Sequence, residues 1–137
     1  MSNSDEIRWR QRMENFTKAL AQLDAACGKT EYTDLERAGL VQTFEFSFEL
    51  AWKTLKDLLF YEGFDPKTPR EVIRKSFEAG YLNEDDTETL LDALDQRNWL
   101  SHTYQETIAR EAEQRITQSY APVLRRIHEN LKPRQAQ

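Results

Sequence analysis

Apolar residues recur along this chain at intervals of three and four, the period of helices with one buried face, and they predict five helices and no strands. The first runs from about Ser4 to Ala26, with Trp9, Phe16, Leu20 and Leu23 on one stripe. The second starts near Thr33-Asp34 and ends before Gly63, with Phe44, Phe48, Trp52, Leu55 and Leu59 in register. Phe46, Leu50 and Leu58 fall outside that stripe, so this helix is apolar around more than half its circumference. Such a pattern suits a central helix or one with a second buried face used for dimerisation. A short third helix is punctuated by Thr68 as cap, Pro69 at its first position, Glu71 completing a capping box and Gly80 at its end. Val72, Ile73 and Phe77 form its apolar side. A fourth helix begins near Asn83 and carries Leu90, Leu91 and Leu94. The fifth starts after Tyr104 and reaches about Leu131, with Ile108, Ala112, Ile116, Tyr120, Val123, Ile127 and Leu131 facing inward. Pro122 lies inside that pattern and should kink or restart the helix, because it has no backbone donor.

Length and composition agree with this pattern. The 137 residues fit one helical domain over 1–137, with frayed ends at 1–5 and 132–137, and only four Gly and four Pro interrupt it. No apolar run approaches a membrane span, and the first residues lack a signal-peptide layout. Cys27 is the single cysteine, so no intramolecular disulfide can form and a cytoplasmic home is expected; a small half-buried role at a helix end suits it.

The net charge of −5 argues against a protein that coats nucleic acid through its overall field. Charge is uneven, however. Glu84, Asp85, Asp86, Glu88, Asp92 and Asp95 form an acidic block, while Lys67, Arg70, Arg74 and Lys75 cluster, with more arginines downstream. Most of these read as solvated helix faces. Glu45, Glu49 and Lys53 are spaced for pairing within the second helix. His128 reads as a solvated residue, and Trp9, Trp52 and Trp99 read as core or interface packing before base stacking. No glycine-rich phosphate loop or Cys/His cluster is present, so no metal or cofactor is expected.

The end of the fourth helix is different. Continuing its leucine stripe leads to Arg97, Asn98, Ser101 and His102, a cation, an amide, a hydroxyl and an imidazole. Burying these without partners would cost roughly 1–3 kcal/mol each. They either form a network that ties the helix end to a neighbour or line a wet cleft. Asn98 and His102 are four apart and share a face, whereas Arg97, five before His102, points elsewhere on a regular helix. Convergence needs unwinding after Leu100 or a second copy from a symmetric partner. Histidine can move a proton near neutrality and arginine can hold a phosphate through two parallel hydrogen bonds. Together they suffice for cleaving RNA without metal.

Arg97-x4-His102-x-Tyr104, written RNWLSHTY in the chain, resembles the signature of HEPN (higher eukaryotes and prokaryotes nucleotide-binding) domains. The similarity is greatest to the bacterial subgroup paired with minimal nucleotidyltransferases, also described as nucleotidyltransferase substrate-binding proteins. RWRQRMENFTKAL, GLVQTFEFSFELAWKTLKDLL and PREVIRKSFEAGYL resemble the same subgroup, so the likeness spans roughly Arg8 to Tyr104.

The resemblance implies an all-α, up-and-down bundle of four long helices and one short one that forms a homodimer around a shared cleft. It implies an endoribonuclease toxin of a toxin–antitoxin pair, with Arg97 and His102 as catalytic pair and Asn98 orienting phosphate or ring. Tyr104 matches the position that a cognate minimal nucleotidyltransferase (MNT) antitoxin modifies. Two other readings stand beside it. One is a non-catalytic subunit that binds nucleotide or substrate for the nucleotidyltransferase, and the other is a structural dimer whose Arg97–His102 network only fixes the interface.

Overall fold

In the computed structural model, which describes residues 3–97 and 105–135, two long helices form the spine. They are α1 (Asn3–Ala26) and α2 (Asp34–Tyr61). They run antiparallel, as two cross-links show: Arg12 Nε on α1 donates to Asp57 on α2 at 3.0 Å, and Ser47 Oγ reaches the Ala19 carbonyl at 3.3 Å. Between them lie Trp9, Met13, Phe16, Leu23, Phe44, Phe48 and Leu55, all essentially without solvent exposure. The first-helix stripe expected from the sequence is buried in full. On α2, Phe44, Phe48, Leu55 and Leu59 are buried, but Trp52 is half-buried and donates its Nε1 proton to Glu49 at 3.0 Å.

A third rod completes the spine. It consists of α5 (Glu106–Arg115), a π-helical turn over Ile116–Tyr120, and α6 (Ala121–Gln135). The π turn is the physical answer to Pro122. Ala121 donates its N–H to the Ile116 carbonyl five residues back, which widens the helix just before a residue with no donor. The rod neither stops nor breaks, and Ala112, Ile116, Tyr120, Val123, Ile127 and Leu131 all stay buried across the wider turn, with Ile108 partly buried. Phe44 and Tyr120 stack with ring centroids 5.4 Å apart, joining α2 to this rod. Arg10 on α1 donates to the Gln135 carbonyl at the far end of α6, so α6 lies antiparallel to α1.

That placement corrects the expectation for His128. It is not solvated. Its ring meets Phe16 edge-on at 5.6 Å, and its Nε2 lies 2.8 Å from Thr17 Oγ1. The Thr17 hydroxyl proton is already given to the Met13 carbonyl at 2.8 Å, so Nε2–H is the donor in this contact. Burial lowers its pKa below the ordinary value.

The remaining helices, α3 (Pro69–Glu78) and α4 (Glu84–Asp95), form a short hairpin laid against α2 and the third rod. Thr68 and Asn83 cap them through Glu71 N–H and Asp86 N–H. The capping box expected at Thr68 is only half made, because the Glu71 carboxylate takes the N–H of Lys67 instead. A complete box stands at α2, where Thr33 and Glu36 each accept the other's N–H. Gly63 and Gly80, at φ +101° and +86°, close α2 and α3. After each, the next N–H reaches five residues back: Phe64 to Leu59 O and Tyr81 to Ser76 O, both 2.8 Å. Phe77, expected in the apolar side of α3, is exposed; Ser76 takes the buried position, its hydroxyl donating to Val72 O. Cys27, just past α1, is half-buried as expected, and burial pushes its thiol pKa up. No helix among the described residues is long and apolar enough to cross a membrane.

Candidate functional site

The acidic first turn of α4 suits the positive end of its helix dipole. Three acids of this helix bond to neighbouring helices. Asp86, almost wholly buried, receives Arg126 of α6 through paired bonds of 2.8 and 3.1 Å. Asp92 accepts Arg115 at 3.0 Å and the Tyr120 hydroxyl at 2.5 Å. Asp95 accepts Arg70 of α3 at 2.7 Å. Burial, reinforced by the Asp92 carboxylate, pushes the Tyr120 phenol up to about 12, so it remains a donor at any ordinary pH. A cavity of about 430 Å³ opens beside this seam, lined by Asp85, Glu88, Asp92, Arg115 and Tyr120 among others. Among the described residues no three acids, histidines or cysteines lie together so as to hold a metal ion.

The helix that carries the leucines ends earlier than its stripe predicts. Gln96 caps it, its N–H shared between the Asp92 and Ala93 carbonyls at 3.1 Å, and Arg97 N–H makes a last 3.4 Å bond to Leu94 O. Arg97 therefore stands outside the helix as an exposed residue, and the polar continuation of the buried stripe is not helical at its first member. Leu90 and Leu94 are buried and Leu91 partly so. Asn98, His102 and Tyr104 lie outside the described residues, as do Trp99 and Ser101. The chain resumes at Gln105, which precedes α5 without a side-chain cap.

The arginine and lysine clusters singled out in the sequence are largely engaged. Lys67 pairs with Asp65, Arg70 with Asp95, Lys75 with Glu78, Arg110 with Glu106 and Arg125 with Asp24. A different basic surface escaped the sequence reading. Arg8 and Arg12 on α1 face Lys53 and Lys56 on α2 across a groove of about 340 Å³ that also holds Trp52 and Phe60. The signal was present as closely spaced cations on each helix, but it becomes visible only once the antiparallel packing of α1 and α2 is known.

Residues 11–133 match the family described as nucleotidyltransferase substrate binding protein like. The crystal structure of a Thermus thermophilus protein superposes with a TM-score of 0.76 at 32% sequence identity, covering 89% of this chain and 99% of that one. No curated protein sequence matches the chain. With the family's pattern extending from α1 into the last turns of α6 over an all-helical up-and-down bundle, this chain belongs to the nucleotidyltransferase substrate-binding protein family.

Proposed function

We propose that this chain is the non-catalytic substrate-binding subunit of a two-component nucleotidyltransferase, working beside a separate minimal nucleotidyltransferase that supplies the chemistry. The observation that carries this reading is the family match over residues 11–133. The bundle supports it physically: the described residues offer surface grooves and charged seams on a rigid scaffold. The family likeness points to a homodimer, and the partly solvent-facing ring of Phe46 on α2 gives such an assembly an apolar contact to cover. Co-expression with a minimal nucleotidyltransferase from the same genome, followed by size-exclusion chromatography with light scattering, tests it. A stoichiometric complex is expected. Two proteins that elute apart at micromolar concentration would overturn it.

A second reading keeps the HEPN toxin, an endoribonuclease in which Arg97, Asn98 and His102 act and Tyr104 is the residue the partner modifies. The exposure of Arg97 just beyond α4 favours it, because a guanidinium in that position is accessible to a phosphodiester. Its test is cleavage of RNA in the presence of EDTA by wild type, Arg97→Ala and His102→Ala. Loss of cleavage in both variants, with helical content unchanged, separates this reading from the first. Absence of cleavage by wild type leaves the substrate-binding reading alone.

A further inference from the structure

The groove between α1 and α2 differs from the rest of the charged surface in what its cations are doing. Elsewhere arginines are tied to acids on neighbouring helices, as Arg70 is to Asp95 and Arg126 to Asp86. In the groove, Arg12 is committed to Asp57 at 3.0 Å, and Lys53 leans toward Glu49 at 3.7 Å. Arg8 and Lys56 form no ion pair among the described residues. Asp65 also lines the groove and pairs with Lys67 at 2.7 Å, so the four cations of the groove face two acids, Asp57 and Asp65. A chain of net charge −5 therefore presents a local positive surplus at one place where helices meet.

The same groove presents rings. Trp52, Lys56 and Phe60 follow one another at four-residue steps along α2, so aromatic, cation and aromatic lie on one face, roughly 6 Å apart along the axis. Phe60 is 44% exposed, a large fraction for a phenylalanine set beside a basic wall. Cations suited to a phosphate chain beside an exposed ring suited to a base are the two halves of nucleotide recognition. An acidic peptide would use the cations and leave the rings idle, and an apolar partner would leave Arg8 and Lys56 buried without counter-charge.

We propose that the α1–α2 groove binds a nucleoside triphosphate, its phosphates on Arg8 and Lys56 with Lys53 beside them, and its base against Phe60. This deepens the substrate-binding reading and rests on it for the choice of ligand; the site itself rests on the groove. Isothermal titration of the full chain with ATP, sodium tripolyphosphate, adenosine and a single-stranded RNA tetranucleotide tests it. ATP should bind most tightly, with affinity falling as salt rises. Arg8→Glu combined with Lys56→Glu should weaken ATP at least tenfold. Phe60→Ala should weaken ATP about three- to tenfold and leave tripolyphosphate unchanged. Lys132→Glu, a charge reversal elsewhere on the surface, should stay within twofold of wild type. Equal affinity for ATP and tripolyphosphate with Phe60→Ala silent would show an unspecific anion surface and overturn the proposal. A tetranucleotide at least tenfold tighter than ATP would make the groove an RNA track and overturn it equally. Complex formation with the nucleotidyltransferase is recorded in parallel. A complex without ATP binding removes the groove assignment and keeps the subunit reading, whereas ATP binding without a complex does the reverse.

Discussion

The spine made by α1, α2 and the third rod is held by burial, whereas the seam between α4 and that rod is held by charge. In the spine, Phe16, Phe44, Phe48, Leu55 and Ile116 are sealed from water and few polar groups intervene. At the seam, Leu90 and Leu94 contribute some burial, but the specific contacts are Arg126 to Asp86 and Arg115 with Tyr120 to Asp92. Apolar contact is non-directional and responds weakly to salt, while charged hydrogen bonds fix geometry and respond to both salt and pH. The seam is also where α4 hands the chain over to Arg97.

The comparison predicts a ranking of stability. Phe44→Ala removes a fully buried ring that contacts both Phe48 and Tyr120, and should destabilise the fold by about 3–5 kcal/mol in urea denaturation. Arg126→Ala leaves the Asp86 carboxylate almost buried without its bidentate partner, for a loss of about 1–3 kcal/mol. If the arginine variant costs more than the phenylalanine one, the division into apolar spine and polar seam is wrong. Raising sodium chloride to about 1 M should narrow the gap between Arg126→Ala and wild type and leave the Phe44→Ala gap unchanged.

The spine was legible in the sequence because burial follows periodicity: Trp9, Phe16, Leu20 and Leu23 could be read as one face without knowing what covers it. The inward positions of the third rod survived even the π turn, because the turn falls where Pro122 required an adjustment. The seam was not legible. Asp86 looks like any acid of a helix start and Asp92 and Asp95 like solvated positions near its end, and only the contacts with Arg126, Arg115 and Arg70 distinguish them. The same holds for His128, whose neighbours Phe16 and Thr17 lie more than a hundred residues away. The end of α4 was misread for a related reason. A hydrophobic period shows which face is buried but not where the helix stops, and Gln96 carries no glycine or proline to mark it. Of the candidate motif, the sequence supplied the residue types, while the structure adds that Arg97 is outside the helix and exposed.

A finer test lies within the seam. Tyr120→Phe keeps the ring stacked on Phe44 and removes the hydroxyl, which donates to Asp92 and also interacts with Arg115, while the Arg115–Asp92 bond remains. The expected loss is about 1 kcal/mol, and near-UV circular dichroism should be unchanged. Because the folded phenol titrates near 12 rather than at its ordinary 10, this contribution is complete below pH 10 and disappears as pH rises from 10 through about 12. A wild-type advantage over Tyr120→Phe that persisted unchanged above pH 12 would show that it does not come from the proton donated to Asp92.

The smallest expected effect concerns the titratable contact inside the spine, and it marks how far the spine departs from a purely apolar body. His128 sits between Phe16 and Thr17, and burial holds its pKa below the usual 6.5 despite the nearby carboxylates of Glu129 and Asp24; Lys132 adds to the lowering. The unfolded chain therefore binds a proton that the folded one resists. Stability is present in full above pH 6.5 and falls as pH drops through that value toward the lower folded pKa. Glu36 does not confuse this window, because its bonds to Lys29 and to the Thr33 N–H keep it ionised down to about 2. Urea midpoints measured at about pH 7.5 and 5.5 should fall more for wild type than for His128→Gln, which keeps a donor toward Thr17 and cannot take up the proton. The two proteins losing the same amount between those pH values would mean that the ring gains no advantage from being neutral. The spine would then be as indifferent to pH as its phenylalanines.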